Sequence, residues 1–96
     1  MKQPCVYILS NRYHGTLYIG VTSNLVQRVW QHKLKSADSF TKKYSIDRLV
    51  YYELCNDMYQ AITREKQLKA GNRARKIALI DAGNPAWVDL YSGILG

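Results

Sequence analysis

The stretch Val6–Lys33, "VYILSNRYHGTLYIGVTSNLVQRVWQHK", decides how the chain is read. Two runs rich in β-branched and aromatic residues, Cys5–Ser10 and Thr16–Val21, flank the turn-type segment "NRYHG", the pattern of a β-hairpin. "VTSN" then supplies the capping side chains Thr22, Ser23 and Asn24 ahead of a helix running to about Leu34. Each strand carries one tyrosine, Tyr7 and Tyr18. In the helix Arg28 and His32 lie one turn apart beside the apolar stripe of Leu25 and Val29, so both polar heads converge on one spot near the sheet. The phenols join them only if the pairing sets Tyr7 and Tyr18 opposite each other or offset by two, for instance with Ser10 facing Gly15 across a four-residue loop. A register one residue different splits them across the sheet, and the pattern allows either.

Beyond the hairpin and its helix, "KSADSFTKKYSID" (35–47) is polar and basic and reads as a loop. "RLVYYELC", Arg48–Cys55, is a third strand. Asn56 and Asp57 offer caps for a helix over about Met58–Ala70, which "GN" at Gly71 and Asn72 closes; a further helix over about Arg73–Ala82 is stopped by Gly83, Asn84 and Pro85. The tail "AWVDLYSGILG" brings Trp87, Leu90 and Tyr91 and is expected to dock on the core. The order β-β-α-β-α-α predicts an α+β sandwich of a small sheet with helices against it.

A chain of 96 residues with 47% apolar content supports one core, so residues 1–96 are expected to form a single domain, ordered throughout. The amino terminus lacks the apolar stretch of a signal peptide, and no run approaches the roughly 18 apolar residues of a membrane span. The expectation is a cytoplasmic protein without a membrane partner. Cys5 and Cys55 are too few for a disulfide framework and lack zinc spacing, so both read as buried thiols. The formal charge of +7 is unevenly placed. From residue 64 to 76 the chain holds Arg64, Lys66, Lys69, Arg73, Arg75 and Lys76 against the single acid Glu65, and a second group comprises Lys33, Lys35, Lys42, Lys43 and Arg48. Clustered positive charge favours a polyanion, nucleic acid before acidic membrane.

Glu65 breaks a local rule. Ala61, Ile62 and Leu68 recur at helical spacing and mark the face that packs on the sheet, and Glu65 falls on that face. A carboxylate removed from water costs several kcal/mol unless a cation meets it, so Glu65 either pairs or lies at a rim where a metal or basic side chain reaches it.

"VYI" at Val6–Ile8, "YIG" at Tyr18–Gly20, Arg28, His32 and the acidic helix residue Glu65 together resemble the GIY-YIG nuclease superfamily. With "NPAWVDLY" near its end, the chain is most similar to the small bacterial proteins made of that domain alone, and it also resembles the Slx-type structure-specific endonuclease domain. The resemblance implies a three-stranded antiparallel sheet flanked by helices. It implies that Tyr7 and Tyr18 line an active site, Arg28 contacts the scissile phosphate, His32 assists proton transfer, Glu65 binds one Mg²⁺ or Mn²⁺ ion, and Asn84 is the family asparagine. Cys5 and Val6 depart from the glycine and isoleucine of the first motif and leave Tyr7 in place.

The chemistry suits that inventory. Phosphodiester hydrolysis needs a deprotonated nucleophile, neutralised phosphoryl oxygens and a stabilised leaving oxygen. A phenol ionises near pH 10, so it acts as a base at neutral pH only if cations lower that value or a neighbour takes its proton. Arg28 is a candidate for the first and His32 for the second; the arginine fork also fits a phosphate. The expected function is a metal-dependent endonuclease acting on DNA, structure-specific and linked to repair or recombination, with Tyr7 as general base, Tyr18 close behind, and a protein partner for targeting. Lys42, Lys43, Lys66, Lys69, Arg73, Arg75 and Lys76 are expected to hold the DNA backbone without reading sequence. The rival reading is a non-catalytic nucleic-acid-binding or adaptor module that keeps the fold.

Overall fold

The computed structural model describes residues 2–35 and 39–95. Its elements run β1 (Cys5–Ser10), β2 (Leu17–Thr22), α1 (Leu25–Lys33), α2 (Ser39–Tyr44), β3 (Arg48–Leu54), α3 (Met58–Ala70), α4 (Arg73–Gly83) and α5 (Tyr91–Ile94). The three strands form one antiparallel sheet in the order β2-β1-β3, the α+β architecture expected. All six residues of β1 are buried, because it is the central strand and both sheet faces are covered. Alternation then sorts its side chains. Val6 and Ile8 join Ile19, Val50, Leu68, Ile80 and Trp87 on one face, beneath α3 and α4; Tyr7 and Leu9 join Val29, Ile46 and Leu49 on the other, beneath α1 and the carboxy-terminal tail.

The helices begin where their caps predict. Asn24 accepts a hydrogen bond from the Gln27 amide at 3.2 Å and Asp57 from the Gln60 amide at 2.8 Å, each worth about 1 kcal/mol. Gly71 closes α3, but Asn72 opens α4 rather than ending its predecessor, accepting from the Arg75 amide at 2.8 Å. Four further features differ from expectation. The segment 35–47 holds the short helix α2, and residues 36–38 of it lie outside the described residues. Ile62 is 39% exposed, so the packed face of α3 is carried by Ala61 and Leu68. Cys5 is buried but Cys55 only partly so, β3 ending one residue before it. The hairpin loop spans residues 11–16 rather than four residues, and β2 starts one residue late. Side chains explain the longer loop: Asn11 Oδ1 accepts from the Thr16 amide at 3.0 Å, Gly15 N–H donates to Arg12 O at 3.0 Å, and Arg73 Nη2 donates to the carbonyls of His14 and Gly15, each at 2.7 Å.

The tail docks as expected. Trp87 is fully buried, its backbone in the left-handed region at φ 55°, with Nε1 donating to Asp81 at 2.7 Å and its carbonyl accepting from Arg48 at 3.1 Å. Leu90 N–H donates to Leu49 O at 2.8 Å, and Leu90, Tyr91 and Ile94 pack on the Tyr7 side of the sheet.

Candidate active site

The register decides the site. Tyr7 pairs with Gly20, and Tyr18 with Leu9, so the two tyrosines are offset by two and share a face, while Leu17, Ile19 and Val21 turn to the opposite one. Their ring centroids are 6.4 Å apart. Gly20 makes this possible: a Cβ there would lie 2.5 Å from Tyr7 Oη and 2.6 Å from Cζ, inside van der Waals contact. α1 lays its inner face across the same spot. His32, 1% exposed, places Nε2 3.0 Å from Tyr7 Oη, with its ring 5.8 Å from that of Tyr7 and 5.3 Å from that of Tyr18. Nδ1 lies 3.1 Å from Oγ1 of Thr41 on α2, itself 2% exposed. Arg28, half-buried one turn earlier, is steadied by Gln31, whose Oε1 accepts from Nη1 at 3.1 Å.

Burial and charge oppose each other here. Burial pushes the Tyr7 phenol up from 10.0 to about 12, and the neighbouring Arg28 guanidinium offsets only part of that. Arg28 is held above its ordinary value, since the phenols of Tyr7 and Tyr18 outweigh the cost of burying its charge. Arg28 therefore does not make Tyr7 a free phenolate in the resting protein. Among the described residues, His32 Nε2 is the imidazole nitrogen within hydrogen-bond reach of that hydroxyl, at 3.0 Å.

Tyr7 shares its upward shift with Cys5, whose thiol burial raises from 9.0 to about 11. A group harder to ionise when folded stabilises the folded chain fully below its unfolded pKa, and that contribution is lost as pH climbs through the folded value. Between about pH 9 and 12 the protein is expected to lose on the order of 2 kcal/mol for each of these two groups. Urea midpoints measured across that range should fall; a flat midpoint up to about pH 11 would contradict the buried phenol and thiol.

The other candidates lie on other elements. Glu65 lies on α3, the helix against β1 and β2 that contributes Leu68 to the opposite core, with its side chain 18% exposed and its carboxylate 3.3 Å from Lys69 Nζ. Among the described residues no group of three or more His, Cys, Asp or Glu side chains could hold a metal. One carboxylate with water and substrate oxygens is nevertheless a donor set that suits hard Mg²⁺ or Mn²⁺, and the Lys69 pairing is exposed enough to yield. Asn84, 7% exposed, caps α4 and spends its side chain on the backbone: Nδ2 donates to Val50 O at 3.2 Å and Val88 O at 2.9 Å, and Oδ1 accepts from Val88 N–H at 3.1 Å. Those bonds tie α4 and the tail to β3.

The basic residues divide. Lys42 and Lys43 are exposed on α2, directly after the Thr41 that meets His32. Lys66 and Arg75 are exposed as well. Lys69 pairs with Glu65, Arg73 clamps the hairpin loop, and Lys76 Nζ donates to Gly71 O at 2.8 Å, so these three also do structural work. Arg64 is bound through Nε and Nη2 to Glu53, which Tyr51 also meets. Arg75 and Lys76 line a groove of about 580 Å³ between α3 and α4 with Leu68 and Leu79, a seam between helices rather than a recess at the phenols. Two residues of the cluster were not anticipated. A glycine inside a strand does signal close approach of another group, which Gly20 satisfies; Thr41 sat in a segment read as loop and carried no signal.

A model of the GIY-YIG catalytic domain matches residues 3–78. A UPF0213 protein of Desulfotalea psychrophila is 32% identical over 78 residues, covering 80% of this chain and 71% of its own length. One from Syntrophus aciditrophicus is 35% identical over 81 residues (83% and 92%), and one from Natronomonas pharaonis 33% over 75 residues (78% and 87%). No solved structure matches the chain.

Proposed function

The chain belongs to the GIY-YIG family, and from that premise we propose that it is a divalent-metal-dependent endonuclease that hydrolyses DNA phosphodiester bonds. The observation that carries the reading is the buried pairing of Tyr7 Oη with His32 Nε2 at 3.0 Å, with the Arg28 guanidinium beside both phenols. A structural domain has no need to bury a phenol against an imidazole beside a half-buried cation, over a glycine that makes room for the phenol. Arg28 binds a phosphoryl oxygen through its planar fork and offsets the charge that grows there. Tyr7 takes a proton from the attacking water while its own passes to His32, which makes a phenol with a high pKa usable at neutral pH. Tyr18, half-buried where Tyr7 is 1% exposed, is the phenol that contacts substrate. Glu65 would hold the divalent ion, which when bound supplies charge to the phosphoryl and leaving oxygens. Asn84 acts by position, keeping the tail on β3. A role in repair or recombination and a cytoplasmic setting complete the proposal, and a separate protein supplies targeting because one small domain offers little area for specificity.

The test is cleavage of flaps, single strands, junctions and duplexes with Mg²⁺, Mn²⁺ or chelator, combined with binding at several salt concentrations. Lys66 and Arg75, both exposed, are the cations to neutralise. The double variant is expected to weaken binding equally for unrelated sequences and to lower the salt slope by roughly 0.9 per lost contact on duplex DNA. An unchanged slope would place this surface away from the nucleic acid, and binding without any metal-dependent cleavage would favour the adaptor reading.

A further inference from the structure

The buried chain of polar groups runs one residue beyond the pair that the proposed mechanism uses. Both nitrogens of the His32 ring meet hydroxyls, Nε2 that of Tyr7 at 3.0 Å and Nδ1 that of Thr41 at 3.1 Å, and all three residues are at most 2% exposed. One hydroxyl comes from the central strand β1, the other from the short helix α2. Which nitrogen carries the proton follows from what surrounds Tyr7. A buried hydroxyl proton needs an acceptor; Arg28, which hydrogen-bonds this phenol, has only donors, and the Tyr18 phenol is a charge neighbour of it rather than a hydrogen-bond partner. Among the described residues, the acceptor within reach of Tyr7 Oη is therefore His32 Nε2. A neutral imidazole has a single N–H, which must then sit on Nδ1, facing Thr41 Oγ1.

We propose that Thr41 is a positioning residue that accepts the Nδ1–H of His32 and so holds the imidazole in the tautomer whose Nε2 is open to the Tyr7 proton. The tautomer is a property of the resting protein; its consequence for rate rests on the endonuclease reading above. The arrangement also links site and substrate surface. Lys42 and Lys43 follow Thr41 on the same helix and are exposed, so the element that orients the imidazole presents two cations to a polyanion.

Long-range ¹H–¹⁵N correlation of the His32 ring at a pH where it is neutral reads the tautomer directly, with no substrate or metal. The wild-type protein and Thr41→Ser are expected to show the Nδ1–H form, whereas Thr41→Val, near in volume but without the hydroxyl, shifts the ring toward Nε2–H or a mixture. In cleavage assays Thr41→Val is expected to lower kcat about 10- to 100-fold, by analogy with the loss of partners that orient metal-ligating histidines, with KM within about twofold and recovery in Thr41→Ser. A wild-type ring protonated on Nε2 overturns the proposal, and that spectrum needs no variant to fold. Retention of the Nδ1–H form in Thr41→Val overturns it as well. If the tautomer moves as expected but cleavage does not, the positioning role of Thr41 stands, and it is the catalytic reading of His32 that fails.

Discussion

Glu65→Gln is expected to abolish Mg²⁺- or Mn²⁺-dependent cleavage while leaving the fold intact. The substitution keeps the shape and one acceptor oxygen but removes the negative charge, so a hard divalent ion held there would lose the charge of its carboxylate ligand. Several kcal/mol of charge stabilisation in the transition state correspond to roughly a 10²- to 10⁴-fold loss of rate. Stability should barely change: Glu65 contacts Lys69 one turn along the helix, with the lysine 56% exposed, and exposed pairs of that kind are worth a few tenths of a kcal/mol. Circular dichroism and thermal melts beside a metal titration of cleavage separate the two effects. A well-folded Glu65→Gln protein with full activity would remove Glu65 from the mechanism and make the family's metal site, in this chain, something other than α3.

The second large effect is expected from Tyr7→Phe, with a loss in kcat of roughly 10²- to 10⁴-fold, the usual span of a general acid or base. DNA affinity should hardly move, because Tyr7 as a whole is 1% exposed and its hydroxyl pairs with His32. The substitution also deletes a buried hydrogen bond, for about 1 kcal/mol of stability, so folding must be verified in parallel. Tyr18→Phe should read differently: Tyr18 is half-buried, and its hydroxyl is expected to touch substrate before as well as during reaction, so KM and kcat should both change. Single-turnover rates unchanged in both variants would leave the binding module as the better account.

Much of this was legible in the residues themselves. Asn24 and Asp57 marked their helix starts, β-branched runs marked three strands, and the one-turn spacing of Arg28 and His32 placed both heads on one face of α1, because each of these depends on neighbours within a few residues. The motif set read in order also pointed to the family that the domain match over residues 3–78 shows. Register was different. Whether Tyr7 and Tyr18 share a face depends on the loop length, and that was set by Asn11 bonding the Thr16 amide and by Arg73, some sixty residues on, clamping the carbonyls of His14 and Gly15. Distant contacts likewise decided the state of the phenol: composition showed cations that could depress its pKa, but burial under α1 raised it to about 12 and set its hydroxyl 3.0 Å from His32 Nε2. Thr41 and Gly20 entered for the same reason, one from a helix in a segment that read as loop, the other because the opposite strand brings Tyr7 Oη to where its Cβ would be. Local patterns specify elements and the side chains on them; the packing of one element against another specifies which groups lose water and which proton acceptor is left within reach.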